Sequence, residues 1–198
     1  GVQWMKAGNG IIHDETMNAD SKTTNPLNHG FQFWVNLPAN IKKENPDYMA
    51  LQSDELPTIT LANDIGWLKV VVGEYNGFHS NIPTYANQYL FHIHLKAGEK
   101  FQYMTEKGKE YALFPPQHTV IVNEMEVQAG TLIGFDNHQS LIEIVNKSDS
   151  NADILLFGGE KYTEPFVAYG PFVMSSEDEI RIAYSDYQNG KYGRILYT

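Results

Sequence analysis

The sequence predicts an all-β protein, barrel or sandwich, with one helix near the C-terminus. Three observations carry this. Short apolar segments recur at near-regular spacing, and Gly, Pro, Asn and Asp clusters such as "NLPAN", "NGFHSNIP", "KAGEK" and "NKSDSNAD" separate them. A helical period of apolar residues stands out in one place only. With 42% hydrophobic and 13% aromatic residues over 198 positions, the chain can bury a sizeable core.

The chain opens on "GVQWMKAG", already apolar and strand-like, and continues into "GNGIIHDET". If Ile11 to Glu15 is extended, His13 and Glu15 leave the same face, because side chains alternate along a strand. An imidazole and a carboxylate on one face can share a divalent metal. "FQFWVN" alternates strictly, with Phe31, Phe33 and Val35 on one side and Gln32, Trp34 and Asn36 on the other. The stretch from Asn36 to Ile59 carries three prolines and little periodicity, which suits a long connection into a fuller β-domain beginning near Leu61. Strand candidates then follow at Trp67–Gly73, Tyr89–Leu95, His118–Asn123, Thr131–Phe135, Ser140–Asn146 and Ala152–Gly159. Near the C-terminus, Ser176 with Glu179 three residues on forms a capping box. Three acids occupy the first turn, where they complement the helix dipole. Ile180, Ala183, Tyr184 and Tyr187 make one stripe, and Gly190 is the natural stop.

Charge and composition remove several function classes. The formal net charge of −10, with basic residues scattered, repels phosphate backbones, so direct nucleic-acid binding is not expected. No apolar run approaches the roughly 18 residues needed to span a bilayer. There is no basic-then-apolar leader, and together with the absence of cysteine this leads to a cytoplasmic expectation. Zero cysteines also exclude thiolate metal sites, leaving imidazole and carboxylate donors.

Four stretches resemble the pirin family: "VQWMKAGNGIIHDE" (Val2 to Glu15), "FQFWVNLP" (Phe31 to Pro38), "GGEKYTEPFVAYGPFVMSSEDEI" (Gly158 to Ile180) and "DYQNGKYG" (Asp186 to Gly193). They lie in family order over nearly the whole chain. The resemblance implies a cupin-type bicupin: an incomplete N-terminal β-barrel and connecting segment over residues 1–60, then a complete C-terminal β-barrel with its α-helix over residues 61–198. In the family, the first barrel binds one metal, usually described as iron, through an H-x-H pair and an H-x-E pair. His13 and Glu15 match the H-x-E. The H-x-H strand lies upstream of "VQWM" in the family, so the resemblance places half of the metal site on this sequence. It implies Fe(II) or another divalent transition metal as cofactor and quercetinase-type opening of a flavonol ring by dioxygen, with His13 and Glu15 holding the metal and Glu15 the general base. The alternative it implies is an interaction protein that regulates transcription factors or metabolic enzymes through protein surface. An open first barrel would expose strand edges and apolar area, so self-association is expected.

Other polar residues have plainer readings. His92 and His94 in "FHIH" form a second H-x-H, but Phe91, Ile93 and Leu95 are the core-facing set, which puts both histidines on the outer face without need of a partner. A metal motif there would also need a carboxylate and a later histidine; Glu99 and His138 are the candidates, and neither has a supporting motif. His29, His79 and His118 fall in or beside loops and are expected to be solvated. Glu160 and Glu164 suit solvated or capping roles better than acid–base chemistry. Trp4 and Met5 suit packing, and "GPFVM" an extended packing arm.

Overall fold

A computed structural model describes residues 1–15, 29–136 and 138–196. Its strands, in chain order, are β1 (Val2–Lys6), β2 (Asp47–Leu51), β3 (Thr58–Thr60), β4 (Gly66–Val72), β5 (Glu74–Tyr75), β6 (Phe78–His79), β7 (Tyr89–Leu95), β8 (Lys100–Met104) and β9 (Lys109–Phe114). They continue as β10 (Val120–Val122), β11 (Met125–Val127), β12 (Ile133–Phe135), β13 (Leu141–Val145), β14 (Ala152–Glu160), β15 (Val167–Tyr169) and β16 (Phe172–Met174), and the helix α1 spans Glu177–Gln188.

The chain divides into two compact units. The first comprises Gly1–Trp4 and Met49–Tyr162, and the second Met5–Tyr48 and Thr163–Thr198. These units do not coincide with the segments 1–60 and 61–198 expected from the sequence.

In the first unit a six-stranded sheet runs β12-β9-β14-β7-β4-β3 and a four-stranded sheet runs β11-β10-β13-β8. The register is antiparallel throughout, as short hairpin connections dictate. Period-two alternation explains which residues turn inward. Tyr89, Phe91, Ile93 and Leu95 of β7, Ile154 and Leu156 of β14 and Leu68 and Val70 of β4 face Phe101, Val120, Val122, Ile142 and Ile144 from the smaller sheet, in one buried cluster. The ladders form two sheets around this core and do not join into one closed ring.

One polar side chain is built into the edge of this core. Asn146 is fully buried, and its amide nitrogen donates to the carbonyls of Leu95 (3.1 Å), Lys96 (3.1 Å) and Ser150 (2.8 Å). Its Oδ1 accepts from the Ser148 backbone N–H at 3.1 Å and from the Ser148 hydroxyl at 2.7 Å. The polar cluster after β13 is thus a loop wound around one satisfied amide.

In the second unit, β15 and β16 pair as a hairpin around Gly170, so "GPFVM" is one arm of a hairpin and not a lone extended segment. Helix α1 starts as predicted: the Ser176 hydroxyl accepts from the Glu179 N–H at 3.3 Å. The return bond is displaced by one residue, since the Glu179 carboxylate accepts from Ser175 N–H at 2.9 Å. Of the predicted stripe, Ile180 and Ala183 are buried, Tyr184 is half-buried and Tyr187 is exposed. Tyr184 packs edge-on against Phe172, with ring centroids 4.9 Å apart.

Two expected extended segments differ. Neither Ile11–Glu15 nor Phe31–Asn36 is in a ladder, and Phe31, Phe33, Trp34 and Val35 are all exposed. Alternation sorts side chains only when a neighbouring strand holds the backbone flat, and among the described residues no strand ladder includes either segment. The stretch expected to be a long connection, in turn, contains β2 and the start of β3.

Candidate functional site

His13 and Glu15 follow a fastened turn. Gly10 donates its N–H to Ala7 O at 2.9 Å, and Asn9 donates to Glu44 O at 2.7 Å. Gly10 has φ +122°, and a Cβ there would lie 2.3 Å from the Tyr192 ring, so glycine is required both by conformation and by space. Tyr192 is itself held, its hydroxyl donating to Ala183 O at 3.2 Å. The "GNGIIHDE" and "DYQNGKYG" stretches therefore meet, and this meeting directs the chain leading to His13.

Beyond the turn, His13 Nδ1 lies 3.5 Å from Glu15 Oε1, and both side chains are substantially solvent-exposed. Two donors bound at about 2.1 Å in a tetrahedral shell stand ~3.4 Å apart. The donor types and their separation thus fit one half of a metal shell. Among the described residues no group of three or more His, Asp or Glu side chains is placed to hold a metal ion.

In the same unit, Lys42 is 4% exposed, and its ammonium donates to Asn36 Oδ1 and, at 3.2 Å, to Val173 O. Burial lowers its pKa, against the opposing pull of Glu164 and Glu179. Lys43 pairs with Glu179 at 2.9 Å. The "KK" pair is accordingly an anchor, which a reading of scattered basic residues did not reveal.

The second H-x-H does lie on the outer face of its sheet, but its histidines are partnered. His92 Nε2 and His94 Nδ1 reach the same oxygen of Asp153, at 2.8 and 3.0 Å. Asn151 donates to His94 Nε2 at 3.1 Å, which leaves the His94 proton on Nδ1, facing Asp153. Trp67 stacks on His94, with centroids 5.0 Å apart and planes 8° from parallel, and meets His92 edge-on at 4.8 Å. Register explains the cluster: Trp67, His94 and Asp153 are direct neighbours on β4, β7 and β14. The hydrogen bond from His92, reinforced by that from His94, holds the Asp153 carboxyl at about 2, below its ordinary 3.8, while burial opposes the shift. Asp153 was legible in principle as the one polar residue of "ADILLF", facing away from the core.

Of the remaining candidates, His29 is exposed against Phe31, His79 pairs with Glu74 at 3.4 Å, and His138 is exposed. His118 departs from expectation: it is half-buried, and its Nδ1 is enclosed without a hydrogen-bond partner. It stands two residues before the buried Val120 that opens β10. Glu160 accepts from Asn87 Nδ2 at 2.5 Å and Glu164 from the Ala39 N–H at 2.7 Å, both structural roles. Trp4 packs near a buried cluster of Leu51, Leu56 and Ile82 and stacks on Tyr85 at 6.5 Å.

Comparison with known proteins fits this arrangement. The model of the pirin C-terminal cupin domain matches residues 90–193, more than half of the chain. The chain belongs to the pirin family. Among relatives of this pirin-family chain, the Pseudomonas aeruginosa protein named "Putative quercetin 2,3-dioxygenase PA2418" is 31% identical over 98% of this chain and 67% of its own length. Pirin-1 of Arabidopsis thaliana is 34% identical over 97% of this chain and 66% of its own. The chain thus spans about two thirds of the length of these curated relatives. A crystal structure of quercetin 2,3-dioxygenase from Acinetobacter baumannii is 27% identical with a TM-score of 0.76, covering 82% of this chain and 56% of that one. The fold is therefore all-β and of the cupin type, with one α-helix among the described residues. No helix among the described residues is long and apolar enough to cross a membrane.

Proposed function

We propose that this chain contributes to a quercetinase-type dioxygenase centre, with His13 and Glu15 supplying two donors to a divalent transition metal, Fe(II) foremost. The observation that supports this is their 3.5 Å pairing on the segment that carries the family's H-x-E pattern. When bound, such a metal would supply a Lewis acid for a deprotonated flavonol oxygen and a meeting point for dioxygen. The protein's part is to hold and move the proton. Glu15 accepts the flavonol hydroxyl proton as general base, and His13 keeps the carboxylate oriented toward it. The fastened Gly10 turn keeps the two side chains together. Because the chain spans about two thirds of its relatives, the partner donors are part of the proposal and not of the described site.

The test is flavonol turnover with added Fe(II), alongside elemental analysis of bound metal. Turnover that is weak in the unmodified chain and abolished by Glu15→Ala, and metal content that His13→Ala lowers, are the expected results. Metal bound at full occupancy with no turnover would overturn the enzymatic reading.

A second reading, a regulator acting through protein contact, is favoured by a different observation. Four large apolar side chains, Phe31, Phe33, Trp34 and Val35, are exposed within five consecutive positions.

A further inference from the structure

A cavity of about 670 Å³ opens in the first unit, within the range of sites that take small molecules. Its aromatic wall is Tyr75, Tyr89 and Tyr103. The Tyr75 and Tyr103 rings lie 24° from parallel with centroids 6.3 Å apart, and Tyr103 and Tyr89 lie 21° from parallel at 6.5 Å. Phe91 and Tyr111 back them. Each neighbouring pair is thus near parallel, with Tyr103 between Tyr75 and Tyr89. Tyr75 and Tyr103 are only half-buried, so the wall is not sealed into the core.

Two hydroxyls of this cluster are engaged: Tyr89 donates to Glu110 O at 3.0 Å, and Tyr111 accepts from the Glu106 N–H at 2.7 Å. Desolvation raises the pKa of Tyr75, Tyr89 and Tyr103, so all three are neutral phenols at physiological pH. The Tyr75 and Tyr103 rings supply the apolar part of a lining that also carries hydroxyl and amide side chains, among them Ser80, Thr84, Gln88 and Gln102. The charged lining disfavours anions: it holds Glu74 and Glu106, its one lysine, Lys109, is paired with Glu106 at 2.9 Å, and His79 lies 3.4 Å from Glu74. A carboxylate or phosphate entering here would meet two carboxylates and no unpaired lysine.

We propose that this cavity is a second ligand site, taking a flat, uncharged aromatic molecule that packs against Tyr75 and Tyr103. It contains neither His13 nor Glu15, so it stands or falls apart from the metal-centred function.

A matched pair of probes tests it: naphthol, uncharged at neutral pH, and naphthoate, the same bicycle with a carboxylate. Fluorescence titration should show saturable naphthol binding and, for naphthoate, affinity at least about 10-fold weaker. Loss of one ring contact is worth a ~2- to 10-fold change, so Tyr75→Leu and Tyr103→Leu should each weaken naphthol by that factor. His13→Ala should leave naphthol affinity as it was. Thermal melts establish that each variant is folded, and Tyr75→Leu, on a short hairpin outside the main sheets, keeps the test available if the Tyr103 variant is not. No naphthol binding, equal binding of naphthoate, or full affinity in folded Tyr75→Leu each overturns the proposal.

Discussion

Asp153 shows how one carboxylate organises a face of the sheet. Two imidazoles donate to a single oxygen, and a tryptophan covers one of the rings. Its carboxyl is depressed to about 2, so its contribution is present above the unfolded value near 3.8 and lost as pH falls through about 2. The shift corresponds to a few kcal/mol at most, and partial exposure of the group reduces this to about 1 kcal/mol. Asp153→Asn should therefore lower unfolding stability in urea by about 1 kcal/mol at pH 6. The gap should narrow between pH 4 and pH 2 and vanish below. A gap unchanged down to pH 2 would mean that the carboxylate's charge is irrelevant there. The sequence placed His92 and His94 correctly on the outer face, and missed Asp153 because a cross-strand partner lies 59 residues from His94 in sequence. Which residue sits opposite which depends on register, and register is a property of two strands.

At the level of elements, the helix is the clearest case of local chemistry deciding local structure. Its cap, first-turn acids and buried Ile180 and Ala183 were all legible from spacing alone. Ser176→Ala should cost about 1 kcal/mol, the usual worth of an N-cap. Restoration by Ser176→Asp, and retention of the fold by far-ultraviolet circular dichroism, would separate capping from packing. An undiminished melting temperature in Ser176→Ala would show that the Glu179–Ser175 bond alone secures the helix start. The strands are legible to a different degree. β7 and β14 were read correctly, because both are long and almost wholly apolar on one face. β8 and β9 were not read, although they pair with β13 and β14. In each, charged or amide residues such as Lys100, Gln102, Lys109 and Glu110 interrupt the apolar set, and only the sheet shows that Phe101, Tyr111 and Leu113 face the core. "FQFWVN" errs in the opposite direction: a perfect alternation without a described partner strand. Pattern reports what a segment could do in a ladder, and the ladder decides.

For the molecule as a whole, the family and the cupin-type fold were legible because four motifs stand in order along the chain. Of the proposed metal centre, His13 and Glu15 were legible, because they stand inside one of those motifs. The same stretch that bears one of the motifs also bears the main unexplained surface. Trp34 is 66% exposed and Val35 59%, between Phe33 and a half-buried Asn36. An exposed run of this kind favours contact with another apolar surface. The formal charge of −10 opposes contact between two copies, and salt screens that repulsion over about 10 Å at 0.1 M while leaving the apolar attraction intact. The expected outcome is a molar mass, by light scattering, that rises with protein concentration and rises further with added sodium chloride. Trp34→Ser combined with Val35→Ser should hold the protein monomeric under the same conditions. Association that weakens with salt would place its origin in ion pairs and not in this strip, and a monomer at every concentration and salt would remove self-association altogether.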